Sequence, residues 1–311
     1  MGLAFHILAH RKPAQVERLV RTLLRPEHLI VLHFDRRAPK GLHVLGRQLA
    51  TTHSNVLLQR PRSVVWFGWQ GIDVQLEAMC LALKHSISWT HFIMLSGADY
   101  PLQSVDTTAA KLAVTPNTSF VSCFDPVKTG LWSDVASRKE HYHLASPLLQ
   151  RVLGIPFFGR RIKAAFGWKN RPLPWIPGIR RQYPKDWPYL GGSAWCMLAR
   201  PATEWLTRDP AVVRFARWMR HYGSPDEVFF QSTLYSSRFP GKVENRQGHY
   251  IDFVSGAPNP RVFTRDDFDR LVASGFPFAR KFDEDIDAAI LDRLEQHVNS
   301  PGPVHPLKSL S

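Results

Sequence analysis

The sequence predicts an α/β protein with a mostly parallel, Rossmann-like sheet flanked by helices. Short apolar runs alternate with segments that carry apolar residues at helical spacing through the first half of the chain. Residues 3–8 predict a strand and residues 13–24 a helix, and this alternation repeats several times. Since strands separated by helices pair in parallel through right-handed crossovers, a sheet covered by helices follows.

The later elements continue this pattern. Further strands are predicted over residues 29–33, 56–58, 92–95, 120–124 and 194–198, and helices over 42–49, 72–83, 108–114, 202–206, 212–218 and 287–298. A chain of 311 residues with 44% hydrophobic content can form one large domain. We divide it into a nucleotide-binding half (about 1–125), a basic aromatic insertion (126–188), a donor, acceptor and catalytic half (189–300) and a loose tail (301–311).

The chain is strongly basic, with a formal net charge of +14. Nucleic acid is the usual partner of such a chain, but no helix-turn-helix spacing, zinc finger or RNP-type strand is present, so we predict no nucleic-acid partner. The charge concentrates between about residues 151 and 190, where cations alternate with aromatic residues. This segment suits an anionic membrane surface or an anionic or lipid-linked glycan acceptor, and a solvated proline-rich loop is the alternative.

Several function classes are excluded by missing motifs. The three cysteines lie far apart, which predicts neither a disulfide framework nor a zinc site. No Gly-x-Gly-x-x-Gly and no Walker lysine motif occur, which argues against dinucleotide enzymes and P-loop NTPases. The sequence starts on a strand without a signal peptide or an 18-residue apolar run, from which we expect a cytoplasmic protein, with peripheral contact to the inner membrane face left open.

Residues 223–230, Gly-Ser-Pro-Asp-Glu-Val-Phe-Phe, set two carboxylates beside an aromatic pair. Pro225 lacks an N–H and disfavours a helical Ser224, so we expect a helix to begin near Asp226. Asp226 then suits the electropositive first turn, and Glu227 can face a cleft at the helix start. Such a carboxylate suits a general base for a hydroxyl nucleophile, although an ordinary acidic helix start is the simpler interpretation of these residues alone.

Two other segments favour a functional interpretation. In residues 95–102 an apolar strand runs into Ser-Gly-Ala-Asp-Tyr-Pro, which puts Asp99 at a strand exit, where open α/β sheets bind ligands. In residues 278–283, Phe-Ala-Arg-Lys-Phe-Asp, we expect the two Phe residues to anchor a turn. Arg280 and Lys281 are then directed at an anion such as a phosphate.

In this order, the three segments resemble the core-2/I-branching family of glycosyltransferases, which includes β-1,6-N-acetylglucosaminyltransferases and peptide O-xylosyltransferases. Further similarities to family motifs lie at residues 6–10 (opening strand), 32–35 (His-Val-Asp turn), 65–69 (Trp-Gly-Gly) and 192–195 (Gly-Ser-x-Trp). The resemblance covers roughly residues 4–295. It implies a GT-A type fold with a C-terminal acceptor-side lobe. Animal members carry a membrane anchor and many disulfides, so this sequence fits a bacterial cytosolic member.

The resemblance also implies roles for individual residues. Glu227 matches the family's catalytic glutamate, which deprotonates the acceptor hydroxyl for an inverting, in-line attack on the donor sugar. Arg280 and Lys281 match basic residues that stabilise the departing diphosphate of a UDP-sugar. The remaining candidates are Phe34 and Asp35 for the nucleotide, and Asp99, Ser193, Trp195 and Asp226 for the donor or acceptor.

The sequence predicts no metal and no cofactor besides the UDP-sugar substrate. Asp99 alone is a poor Mg²⁺ or Mn²⁺ site. The Asp-x-Asp at residues 283–285 precedes a helix, where favourable placement in the helix dipole is the simpler interpretation.

The donor and the acceptor are less well defined. Ala194, Phe253 and Phe67 depart from the family pattern, which leaves the donor open between UDP-xylose and UDP-N-acetylglucosamine. We expect a glycan or lipid-linked acceptor in bacterial surface polysaccharide synthesis. The alternative is a non-catalytic module that binds sugar nucleotides or polyanions.

Overall fold

The protein is described by a computed structural model over residues 1–132, 134–153, 161, 163, 175–254 and 259–300. The predicted loose tail and much of the predicted basic insertion lie outside these residues. The strands are β1 Gly2–Ala9, β2 Leu29–Phe34, β3 Val56–Leu58, β4 Trp89–Ser96, β5 Asp99–Pro101, β6 Thr118–Phe120, β7 His141–His143, β8 Trp175–Arg180, β9 Met197–Ala199, β10 Lys242–Glu244, β11 His249–Ile251 and β12 Phe278–Arg280.

The helices lie between these strands and after them. They are α1 Pro13–Leu23, α2 Lys40–Thr52, α3 Gln70–Lys84, α4 Val105–Ala113, α5 Pro126–Thr129, α6 Val135–Glu140, α7 Pro147–Leu153, α8 Arg200–Arg208, α9 Pro210–Met219, α10 Phe229–Leu234, α11 Phe268–Ala273 and α12 Ala288–Asn299. Two 3-10 turns cover Pro225–Glu227 and Arg265–Asp267. Within the described part of the chain, no helix combines the length and apolarity needed to cross a membrane.

The central sheet has the strand order β10-β6-β9-β4-β1-β2-β3. β1 lies between β2 and β4 and is parallel to both, whereas β9 is antiparallel to β4 and β6. A smaller sheet has the order β11-β12-β5, and β7 pairs with β8. The predicted α/β fold, with a mostly parallel sheet flanked by helices, is confirmed.

Two buried clusters cover the two faces of the central sheet. Successive side chains of a strand point to opposite faces, and Phe5 accordingly joins one cluster while Ala4 joins the other. The Phe5 side is covered by α1, α2, α4 and α12, and the Ala4 side by α3, α8, α9 and α10. Helices therefore flank the sheet on both faces, which leaves the strand ends free to form a site.

Three local predictions are wrong. The strand expected over residues 120–124 ends at Phe120, and Phe124 forms only an isolated bridge to Gly191. The strand expected over 194–198 begins only at Met197, because the Trp195 amide donates to Ser193 Oγ within the loop instead of to a neighbouring strand. The turn expected over 278–283 begins as strand β12, since its backbone pairs with β5 and β11; both of its Phe side chains are buried as expected.

Candidate functional site

The turn that carries Glu227 is held on both sides. Ser224 adopts a left-handed conformation (φ 57°), and its amide donates to the Phe67 carbonyl at 3.0 Å. Pro225 starts a 3-10 turn through Glu227, and the α-helix begins only at Phe229. The expected helix start at Asp226 is therefore wrong by three residues. The buried side chain of Val228 anchors the turn to the core, and the side chain of Glu227 stays partly exposed.

Glu227 forms an ion pair that the sequence analysis missed. Arg138 donates from Nη1 to Glu227 Oε2 at 2.6 Å and from Nε to Asp134 Oδ1 at 2.9 Å. Its guanidinium also lies 4.3 Å from the ring centre of Trp132. Burial alone would lower the pKa of Arg138, but the charges of Glu227 and Asp134 outweigh it and raise the pKa. The sequence signal for this cluster was an acidic residue, Asp134, four positions before the basic Arg138 and two positions after Trp132.

Asp226 lies in a different environment from Glu227. Its Oδ1 is buried and has no hydrogen-bond partner among the described residues. Burial, together with the neighbouring charge of Glu227, raises the pKa of Asp226 to about 7. The two consecutive carboxyl groups therefore differ: Glu227 has a cationic partner, whereas burial brings the pKa of Asp226 close to neutral pH.

The loop at residues 192–195 lies against the Glu227 turn. The Gly192 amide donates to the Glu227 carbonyl oxygen at 2.9 Å, and the Ser193 amide donates to Ser122 Oγ at 2.9 Å. Ser193 Oγ in turn accepts from the Trp195 amide at 3.2 Å. The predicted donor-side residues Ser193 and Trp195 are thus attached to the backbone of the predicted base.

Arg280 lies at the other end of this loop. Its guanidinium is 4.5 Å from the ring centre of Trp195, and its Nη1 donates to Ser96 Oγ and, at 2.8 Å, to Asp99 Oδ1. Asp99 also accepts from the Ser96 amide at 2.6 Å. His249 packs behind, with Nε2 3.7 Å from Asp99, and burial lowers its pKa to about 4. Because the His249 imidazole is neutral, Arg280 is the charged partner of Asp99.

Lys281 lies in a cationic region at the end of β1. No described acidic residue forms an ion pair with Lys281, because Asp283 is paired with Lys12 and Arg11. Burial and the charges of Arg11 and Arg280 lower the pKa of Lys281. A cation beside other cations favours the binding of an anion.

The two nucleotide candidates behave differently. Asp35 follows β2, and its carboxylate accepts from the Arg37 and Val64 amides at 2.8 Å each and from Arg37 Nε at 3.0 Å. Burial would raise the pKa of Asp35, but these bonds lower it. The prediction that Phe34 holds the nucleotide is wrong for its side chain. Phe34 is fully buried and packs against Gly46 of α2, because it points to the face of the sheet that α1 and α2 cover.

Five of the candidate site residues, Glu227, Ser193, Trp195, Arg280 and Asp99, are joined by contacts. Contacts lead from Glu227 through Gly192, Ser193 and Trp195 to Arg280. Asp35 follows β2 and Asp99 follows β4, and these two strands lie on either side of β1 and run parallel to it. Both residues therefore lie at the carboxyl edge of the sheet.

Two clusters that contain acidic residues are candidates for metal binding. Asp287 caps α12 through bonds from Ala289 and Ile290, and Asp283 and Asp285 pair with Lys12, so each has a structural partner. Separately, Glu27, His28 and Asp106 bring three potential ligand atoms within 4.8 Å of one another. However, His28 Nδ1 accepts from the Leu3 amide. Its Nε2 therefore carries the proton and has no lone pair for a metal.

Two residues of the basic aromatic segment, Arg181 and Trp187, are built into the protein body. Trp187 is buried and stacks on Phe215 with ring centres 4.8 Å apart, and Arg181 is buried over Trp218. The expectation of a membrane or acceptor surface is therefore wrong for these two residues. Of its other aromatic candidates, Trp175 lies in β8, and Phe157, Phe158, Phe166 and Trp168 lie outside the described residues.

Known proteins resemble this chain over most of its length. The family model for the core-2/I-branching enzyme matches residues 3–272, which include Glu227 and end before Arg280. A β-1,3-galactosyl-O-glycosyl-glycoprotein β-1,6-N-acetylglucosaminyltransferase from Bos taurus is 22% identical over 95% of this chain and 69% of its own length. The xylosyltransferase oxt from Drosophila melanogaster is 27% identical over 92% of this chain, which spans only 32% of that protein. A β-glucuronosyltransferase from Arabidopsis thaliana is 26% identical over 94% of this chain and 65% of its own.

Proposed function

Since the chain belongs to the core-2/I-branching enzyme family and is a glycosyltransferase, we propose that it moves N-acetylglucosamine or xylose from a UDP-sugar to a glycan hydroxyl, with inversion and without a metal. One observation carries the proposal. The Glu227 turn and Arg280 contact opposite ends of the same short loop, residues 192–195. A proton acceptor and a diphosphate-binding cation therefore flank the segment that we assign to the donor sugar.

Glu227 acts as the general base in this proposal. It takes the proton of the acceptor hydroxyl while that oxygen bonds to the anomeric carbon. The bond from this carbon to the β-phosphate oxygen breaks, and its electron pair leaves with UDP, so an α-linked donor gives a β-linked product. The Arg138 ion pair orients Glu227. The acceptor hydroxyl binds either at Oε1, or at Oε2, where it displaces Arg138.

Arg280 and Lys281 stabilise the diphosphate as it leaves. Arg280 is oriented in advance by Asp99 and Ser96, so little reorganisation is needed when the negative charge develops. Lys281 has no ion-pair partner among the described residues and supplies a compact point charge. In this proposal the two cations stabilise the charge of the diphosphate, as a divalent metal does in other sugar-nucleotide enzymes. This supports the metal-free form of the proposal.

The donor sugar and the acceptor are the more specific parts of the proposal. The relatives are named for three different sugars, so UDP-glucuronate joins UDP-N-acetylglucosamine and UDP-xylose as a donor to be compared. Trp195 is packed between Arg280 and His249 and would cover one face of the donor sugar. For the acceptor we propose a glycan or lipid-linked hydroxyl, as in the synthesis of a surface polysaccharide.

The test is a panel of UDP-sugars assayed for donor hydrolysis and transfer, with and without EDTA. We expect one donor to be preferred and EDTA to leave the rate unchanged. Glu227→Gln is expected to lower kcat by about 10²–10⁴-fold while UDP affinity stays nearly constant. Glu204→Gln, which removes a carboxylate paired with Arg200 on the exposed side of α8, is the matched control. Equal turnover by Glu227→Gln would reject the base assignment, and loss of activity in EDTA would reject the metal-free mechanism.

A further inference from the structure

One buried amide connects the catalytic turn to the donor-side loop. Gln231 lies in α10, one helical turn after Glu227, and is fully buried. Its Nε2 donates to the Ser193 carbonyl at 2.8 Å and makes a longer bond to the Ser122 carbonyl at 3.4 Å. Its Oε1 is buried and has no hydrogen-bond partner among the described residues.

The unpaired oxygen argues against a purely structural role for Gln231. A buried polar atom without a partner is destabilising, and an apolar side chain of similar length would avoid that cost but would leave the Ser193 carbonyl without its Gln231 donor. The amide is useful only through its N–H groups. Both of these contacts are to backbone carbonyls of the segments that hold the loop at residues 192–195.

The loop around Ser193 fits closely over this amide. A Cβ on Gly192 would collide with the Ser122 carbonyl and would stand 2.8 Å from Gln231 Nε2. The backbone of the loop therefore lies directly against Gln231, and the Gly192 amide reaches Glu227 from the same position. A shift of the Ser193 carbonyl would move the loop relative to the base.

The same loop reaches the diphosphate side of the site. Ser193 Oγ holds the Trp195 amide, and the Trp195 ring lies under the Arg280 guanidinium. We propose that Gln231 is a positioning residue for the transfer reaction: by holding the Ser193 carbonyl, it sets the separation between Glu227 and the Trp195–Arg280 pair. This inference rests on the proposed function and deepens it.

The test compares two buried residues of the same helix. Gln231→Met removes the amide and keeps the length of the side chain. Thr233→Val is the matched control, because Thr233 is equally buried and its hydroxyl bonds only within the helix, to the Phe229 and Phe230 carbonyls. Gln231→Asn provides a second variant, which keeps the amide but withdraws it by one methylene.

We expect both Gln231 variants to lower kcat about 10-fold or more, because small misplacements of reacting groups have large effects on rate. The KM for the donor and the Kd for UDP should stay within about 2-fold, since Arg280 and Lys281 are untouched. Amide hydrogen exchange should accelerate at Gly192, Ser193 and Trp195 but not in β1 or β4. Thr233→Val should change none of these quantities.

Two outcomes would overturn the proposal. One is an unchanged kcat in both Gln231 variants, and the other is a fall in kcat accompanied by faster exchange across β1 and β4, which would indicate general destabilisation. If the wild-type protein transfers no sugar from any UDP donor, the proposed function fails. The exchange comparison still tests the positioning role in that case, and unchanged protection at Gly192 and Ser193 would reject it.

Discussion

Asn in place of Asp99 is expected to weaken both folding and donor binding. The Asp99 side chain is fully buried and accepts hydrogen bonds from Ser96 and Arg280. Asn keeps the shape but directs an NH₂ group at one of these donors. Removing one partner of a buried ion pair costs about 3–5 kcal/mol, and because Arg280 is 22% exposed we expect the lower end, about 3 kcal/mol. For a chain of 311 residues, that lowers Tm by about 5 °C.

The measurement is urea unfolding together with UDP titration by calorimetry. Asp99→Asn, Arg280→Met and the double variant form a cycle, in which we expect a coupling free energy of about 1 kcal/mol or more. Asp269→Asn serves as the control: its side chain is 94% exposed and 3.9 Å from Arg293, so its loss should cost less than about 0.5 kcal/mol. A loss below about 1 kcal/mol for Asp99→Asn, with additive effects in the cycle, would refute the assignment of Asp99 as the residue that orients Arg280.

Two further predictions follow from charge and burial. Lys281→Met should weaken UDP binding about 10-fold or more in calorimetry, because it removes a cation of the proposed diphosphate site, and unchanged affinity would contradict that assignment. The free energy of unfolding should fall as the pH drops from about 6.5 towards 4, because burial lowers the pKa of His33 and of His249 to about 4. Below pH 6.5 the unfolded chain binds protons that the folded protein excludes, which destabilises the fold by up to about 1.4 kcal/mol per pH unit for each histidine. The raised pKa of Asp226 has the opposite effect and offsets one of the two histidines, so the net fall is up to about 1.4 kcal/mol per pH unit. A flat unfolding free energy from pH 7 to 4.5 would show that these imidazoles accept protons without loss of structure.

Apolar periodicity was sufficient to predict the elements that form the core. Helix α1 was expected over residues 13–24 and covers Pro13–Leu23, and α3 was expected over 72–83 and covers Gln70–Lys84. Both bury one stripe of side chains against the sheet, so burial and local pattern agree. The short strands β10, β11 and β12 were not predicted. Each has three residues, and what stabilises them is pairing with distant segments, which no local pattern reveals.

The candidate site was predictable only in part. Motifs identified Glu227, Asp99 and Arg280, because each follows a recognisable strand exit or turn. Arg138 and Gln231 were not identified, since their partners are 89 and 38 residues away along the chain and become neighbours only in the fold. Phe34 was assigned wrongly for a related reason. Phe34 is the last residue of β2, whose side chains are buried on both faces, whereas Asp35 follows the strand and can reach the edge of the sheet.

Two antiparallel strands explain how distant segments converge on this site. In a parallel sheet, only the residues after each strand reach the carboxyl edge. β9 runs antiparallel to β4, with Met197 opposite Ile93 and Ala199 opposite His91, so the residues before β9 lie beside the exit of β4. The loop at residues 192–195 is thereby brought to the edge where Ser96 and Asp99 emerge. β12 is likewise antiparallel to β5, which sets Arg280 opposite Asp99. Two strand reversals thus bring both a donor-side loop and a cation to the edge where the parallel strands β2 and β4 place Asp35 and Asp99.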